Sequence, residues 1–197
     1  ANNSQQDNEA RFRHRPEARS NSRWLDTGRI AGADWYNLLG FESLLNFGPL
    51  QLVGEYQNTW MQRDSGSGGD LFFFGGYAYV SYFLTGENMA WSRKSGTLGR
   101  VKPNENFFMA PAGSAGGWGA WQVAFRYSYA DFTDREITGG IGESYTFGMN
   151  WHWNTNARMQ FNYIKGTVDE RPATVNGPGG NIGGDYGIIG MRFMIDF

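Results

Sequence analysis

The sequence predicts an all-β chain: an antiparallel transmembrane β-barrel of the outer-membrane type, with about eight strands. Three observations predict it. Apolar and polar residues alternate with period two along most of the 197 residues. Aromatic residues make up 17% of the chain and crowd the apolar positions of that alternation. No window holds eighteen or more apolar residues, which excludes an ordinary membrane helix of about 20 such residues. A polar average is compatible with a membrane, because a barrel strand shows lipid only one of its two faces. The 29 glycines alone would suit a disordered chain, but such a chain lacks the aromatics.

The first expected strand covers 10–19, where Arg11, Arg13, Arg15, Glu17 and Arg19 share one face. Leu39, Phe41, Leu45 and Phe47 then oppose Gly40, Glu42 and Asn46. Leu50, Leu52 and Tyr56 oppose Gln51, Glu55 and Gln57. Ala78, Val80, Tyr82 and Leu84 form the apolar face of a fourth. Trp121, Val123, Phe125, Tyr127 and Tyr129 alternate with Gln122, Ala124, Arg126 and Ser128. Tyr145, Phe147, Met149, Trp151 and Trp153 alternate with Thr146, Gly148, Asn150 and His152. Met159, Phe161 and Tyr163 face away from Arg158, Gln160 and Asn162. The last expected strand carries Ile189, Met191, Phe193, Ile195 and Phe197, with Gly190, Arg192 and Asp196 between them. Each run is about the ~9–11 residues that a tilted strand needs to cross a bilayer.

Gly48-Pro49 and Asn154-Thr155-Asn156 read as tight turns, whereas 63–70, 133–142 and 167–184 read as long polar loops. Short turns on one side and long loops on the other are the pattern of outer-membrane barrels. The connection at 85–117 breaks it, being about thirty residues long on the short-turn side. It carries Arg93, Lys94, Arg100 and Lys102. It is expected either to enter or plug the lumen as a constriction, or to remain a periplasmic-side segment.

Ring size decides which face meets lipid. An eight-stranded barrel is only just wide enough inside for its own side chains or one ligand. Rings on nearly every strand would overfill it, so the apolar face is expected to point outward. Trp35, Trp60, Trp121, Trp151, Trp153 and Tyr163 fall towards strand ends, with smaller residues such as Leu39, Val80, Val123 and Met191 between, as in an aromatic girdle. The polar face, with Gln51, Glu55, Gln122, Arg126, Asn150, Arg158, Gln160 and Arg192, then lines water.

Several short pieces, taken in order, resemble one family. They are Arg15-Pro16-Glu17-Ala18-Arg19, Asp26-Thr27-Gly28-Arg29, Tyr82-Phe83-Leu84-Thr85-Gly86-Glu87, Arg93-Lys94-Ser95-Gly96-Thr97 and Gly99-Arg100-Val101-Lys102-Pro103. Gly119-Ala120-Trp121, Phe125-Arg126-Tyr127-Ser128-Tyr129, Gly148-Met149-Asn150-Trp151, Asn162-Tyr163 and the final Phe197 follow. Together they resemble the C-terminal half of the phosphate-selective porin O/P family. The resemblance implies that 1–197 is a single barrel domain or its C-terminal half, part of a sixteen-stranded barrel that forms homotrimers. It also implies a bacterial outer-membrane location, with Phe197 as the signal read by the assembly machinery. The implied activity is passive passage of small anions such as phosphate along an arginine ladder. Arg11, Arg13, Arg15 and Arg19 are the ladder candidates, with Arg126, Arg158 and Arg192 as further pore-lining cations. Guanidinium groups match phosphate with paired donors, and arginine rings are a device of anion pores.

Glu17, Glu42 and Glu55 share the expected lumen, and the net charge is −2. A general diffusion channel without phosphate preference is therefore the first alternative, and a closed structural barrel the second. A soluble β-barrel carrier is a third. Catalysis is not expected: there are two histidines and no cysteine, and no nucleophile is placed beside a base. No His or Cys spacing suits a metal, no cofactor is expected, and the charge gives no sign of a nucleic-acid partner. Gly139-Gly140-Ile141-Gly142 lacks the strand-to-helix setting of a nucleotide loop. The polar start, Ala1-Asn2-Asn3-Ser4, carries no leader, so the chain is expected to have lost one or to begin inside something larger.

Overall fold

The computed structural model describes residues 8–21, 23–92, 94–109, 116–169 and 183–196. Seven long strands form one antiparallel sheet: β3 (Ala33–Phe47), β4 (Leu50–Arg63), β5 (Leu71–Phe83), β8 (Ala120–Asp134), β9 (Ile137–His152), β10 (Ala157–Asp169) and β11 (Gly184–Ile195). Their order is β11-β10-β9-β8-β5-β4-β3, so chain neighbours are sheet neighbours and the sheet is an up-and-down meander. β3 and β11 are its two edges; the sheet is open. Two short pairs lie outside it: β1 (Arg13–His14) with β2 (Leu25–Asp26), and β6 (Trp91–Ser92) with β7 (Thr97–Leu98).

Register decides which side chains share a face, since directly paired residues point the same way. Gln51 pairs with Asn46 and Ser81, Gln122 with Asn150, Asn150 with Gln160, and Gln160 with Arg192. One polar row therefore crosses the sheet on its inner face. Its amides are linked: Gln51 Nε2 donates to Asn46 Oδ1 at 3.0 Å, and Gln122 Nε2 to Ser81 Oγ at 3.0 Å. Asn150 Nδ2 donates to Gln122 Oε1 at 2.9 Å and Gln160 Nε2 to Asn150 Oδ1 at 2.9 Å. Buried amides left alone would cost about 1–3 kcal/mol each, so their mutual bonding stabilises this face.

The outer face is the opposite in character. Phe41, Leu45, Phe47, Phe125, Phe147, Met191 and Phe193 stand there, each about half exposed or more. Water would not tolerate an apolar surface running over seven strands, whereas lipid requires one.

The structure corrects the expectation of an eighth strand over 10–19. Arg13–His14 pairs with Leu25–Asp26 and Ala10 bridges to Ile30, neither of them with the sheet. Pro16 lacks the N–H that a ladder needs and ends the run. A second correction concerns 133–142. β8 and β9 continue towards each other and leave only 135–136 between them, with Arg135 at φ 52°. The glycines expected in a loop belong instead to β9. Gly142 is bare because another segment lies on it, and Gly139 because both that segment and Phe132 of β8 do. An added Cβ would stand 3.0 Å from Thr27 Cγ2 at Gly139, and 3.1 Å from Leu25 Cδ1 at Gly142.

Candidate functional site: a hairpin on the inner face

The segment 8–32 doubles back on itself. Ala10 and Ile30 exchange backbone hydrogen bonds at 3.0 and 2.8 Å. The Thr27 amide donates to the Phe12 carbonyl at 3.1 Å, and the Trp24 amide to the His14 carbonyl at 3.0 Å. This hairpin lies against the inner face of the sheet. Its root is apolar: Ile30, Ala33, Met61, Leu71 and Phe73 form a buried cluster, with Phe12, Phe132 and Ile137 packed on it. These residues come from the strand ends away from the 48–49 turn, so the hairpin enters from that end.

Its tip reaches the middle of the wall. There Glu17 accepts hydrogen bonds from Ser128 Oγ at 2.6 Å, Ser144 Oγ at 3.4 Å and Thr146 Oγ1. It also pairs with Arg126 Nε at 3.0 Å. Arg126 donates to Ser128 Oγ at 2.8 Å and lies 3.8 Å over the Tyr77 ring. One carboxylate thus ties the hairpin to β8 and β9. Trp24 adds a ring contact with Tyr186 of β11 at 4.3 Å.

The charge of this segment differs from that of the chain. Residues 8–32 hold six arginines and three carboxylates, although the whole sequence carries −2. Each carboxylate is already in an ion pair: Asp26 with Arg11 at 2.5 Å, Glu9 with Arg29 at 3.1 Å, and Glu17 with Arg126 of the wall. Among the described residues, Arg13, Arg15 and Arg19 are left without a carboxylate partner. The Arg15 Nε is buried with no hydrogen-bond partner among them. Arg23 stands close by. Loss of hydration, then the charges of Arg15, Arg13 and Arg19, hold its guanidinium below the ordinary value. Asp26 shows the reverse. Burial alone would raise its pKa, but the Arg11 and Gly28 hydrogen bonds and the Arg11 charge bring it below the ordinary value.

Between the hairpin and the wall lies a cavity of about 540 Å³. Arg13, Arg15, Glu17, Glu55, Tyr77 and Arg126 are among its lining residues. The structure thus brings Arg13, Arg15 and Arg126 to one cavity. Arg11 is turned to Asp26, and Arg19 is exposed near the tip. Arg158 lies on the inner face of β10 with Nη2 3.2 Å from Met194 Sδ, and Arg192 on β11 opposite Gln160. Lys94, Arg100 and Lys102 are exposed on the long connection and do not line this cavity. Arg93 and Phe197 lie outside the described residues. Sequence reasoning missed the holding role of Glu17 and the place of Arg23. The local excess of arginine over 8–32 was the available signal for both.

An up-and-down antiparallel sheet, apolar on one face and polar on the other with a segment folded against the polar face, is the kind of wall a porin-type protein has. The chain belongs to the family described as phosphate-selective porin O and P, whose model matches residues 2–197. It is 32% identical over 190 residues to an uncharacterized protein of Caulobacter vibrioides, covering 95% of this chain and 35% of that protein. It is 26% identical over 140 residues to Porin O of Pseudomonas aeruginosa, covering 66% of this chain and 30% of that protein. The chain therefore spans about a third of the length of these relatives.

Proposed function

We propose that this chain supplies part of the wall and the selectivity element of an outer-membrane channel for small anions. The observation that carries this reading is the hairpin's set of arginines. Among the described residues Arg13, Arg15 and Arg19 form no ion pair with a carboxylate, and two of them line a cavity beside Arg126. Fixed guanidinium groups in a confined lumen attract anions and exclude cations, because the charge is less screened there than in bulk water. Phosphate is the anion that their paired donors fit best, and the family description points to the same solute. The channel reading extends to a homotrimer inserted by the outer-membrane assembly machinery. The Val101 part of the 85–117 connection, packed on Phe83 and Ala120 at the turn end, narrows that mouth.

Passage requires no catalytic group. Among the described residues no His, Cys, Asp and Glu are grouped so as to hold a metal.

The test is the zero-current potential of the whole protein in a planar bilayer under a KCl gradient. A chloride-selective sign, lost on adding phosphate to the bath, supports the reading. A cation-selective sign points to general diffusion governed by Glu42 and Glu55. Absence of current points to a closed structural barrel.

A further inference from the structure

Part of the long connection between β7 and β8 lies on the outside of the sheet. Phe107 packs on Trp151 with ring centroids 4.5 Å apart and planes tilted by 58°, and Phe108 meets Trp153 at 6.1 Å. Trp151 pairs in register with Trp121, and both point outward. The Phe107 amide donates to the Trp153 carbonyl at 2.7 Å, which fixes the segment to the 153–156 turn. Its two arms are joined to each other: Gly117 N donates to Asn106 O at 2.7 Å and Gly119 N to Glu105 O at 3.2 Å. The Trp118 carbonyl accepts from both Trp121 Nε1 at 3.1 Å and Trp151 Nε1 at 2.8 Å. The indole N–H groups of Trp121 and Trp151 are thereby satisfied from within, whereas that of Trp153 is buried with no partner among the described residues.

The outward side of this segment is apolar. Met109 is 74% exposed and Trp118 is 78% exposed. From Asn106 to Phe125 the sequence contains no charged residue. The exposed Trp118 indole N–H has no partner among the described residues. A ring that is apolar at one end and has a free donor at the other suits the boundary between hydrocarbon and headgroups.

We propose that residues 106–109 and 116–119 form an interfacial foot, which seats in the lipid headgroup layer at the tight-turn end of the barrel. It is continuous with the outer apolar band and adds to the strand girdle from a connection. Trp118 and Met109 enter the lipid boundary, while the Phe107 and Phe108 rings bridge them to the wall. This rests on the outer-membrane reading above.

Lack of cysteine makes the test direct. Trp118→Cys, Phe125→Cys and Arg135→Cys are introduced singly into the whole protein. Each is labelled with a nitroxide and reconstituted in phosphatidylethanolamine and phosphatidylglycerol vesicles. Collision with oxygen and with a water-soluble nickel chelate gives the depth of each label. The expected oxygen-to-nickel ratio at 118 is severalfold above that at Arg135 and severalfold below that at Phe125. A ratio at 118 equal to that at Arg135 places the segment in water and overturns the foot. Low collision with both reagents places it against a second copy of the chain and overturns it too. A water-like ratio at Phe125 overturns the membrane reading itself, and the foot with it. Met109→Cys provides the same readout if Trp118→Cys does not fold.

Discussion

Glu17→Gln is the sharpest perturbation of the hairpin. The substitution keeps shape and one carbonyl acceptor but removes the charge. Glu17 is held by three hydroxyls and by Arg126. Charge-assisted hydrogen bonds are about twice as strong as neutral ones, so each hydroxyl bond loses roughly half its worth. Net values of about 1.5–3 kcal/mol for the charged form make that roughly 1 kcal/mol per good bond. The Ser144 contact is long, and the Arg126 side chain is 35% exposed, so the ion pair adds little after screening. The total is about 2 kcal/mol, or roughly a 30-fold rise in the population of the displaced tip. Hydrogen exchange at the Trp24 amide, which donates to His14, should quicken by that factor, and channel noise should rise with it. Exchange at Trp24 that is unchanged from wild type, with quiet current, would refute the claim that this carboxylate holds the hairpin.

Four further outcomes are expected. Replacing Arg13, Arg15 and Arg19 together by Gln should move the zero-current potential towards cation selectivity; an unchanged potential would remove the hairpin from the selectivity argument. Ile30→Ala, at a 1% exposed root position, should cost about 2–5 kcal/mol and lower the heat needed to unfold the barrel on a gel. Gly139→Val should lower folded yield, because its Cβ would stand 2.4 Å from the Phe132 carbonyl oxygen; Gly187→Val, with open space around it, serves as control. The Asp26 pKa is depressed, so its contribution is present above the ordinary carboxylate value and lost as pH falls through the depressed one. Conductance steps should therefore stay closed-hairpin in character at mildly acidic pH and change only below the ordinary range, whereas Asp26→Asn should show the change at neutral pH.

The seven strands of the wall were legible because a strand between lipid and water needs full alternation. Phe125, Tyr127 and Tyr145 could serve on one side only. The hairpin was not legible for the same reason. Arg11, Arg13 and Arg15 also alternate, because the backbone there is extended, and Phe12 between them packs on Phe73 at 5.5 Å. Alternation reports an extended chain between two environments and does not say which environments they are. Pro16 and the six arginines against three carboxylates distinguished this segment from a lipid-facing strand. The glycines at 139–142 misled in the opposite direction. They resembled a loop by composition, yet Gly142 is bare where Leu25 lies on it, Gly139 where Phe132 and Thr27 do, and Gly140 takes a φ of 95°, none of which is visible without the fold.

The hairpin touches the wall through an apolar root, hydroxyls, one arginine, one tyrosine ring and bare glycines, while Arg13, Arg15 and Arg19 are its own. On the proposed reading, much of the ion preference lies in a stretch of chain separate from the strands of the wall. On that reading a barrel built this way could change the ion it favours by replacing residues between His14 and Leu25 other than Glu17, which anchors the hairpin, without altering a strand of the outer apolar face. Grafts of that short stretch between homologous barrels are the natural unit in which to redesign, or to trace, the divergence of solute preference.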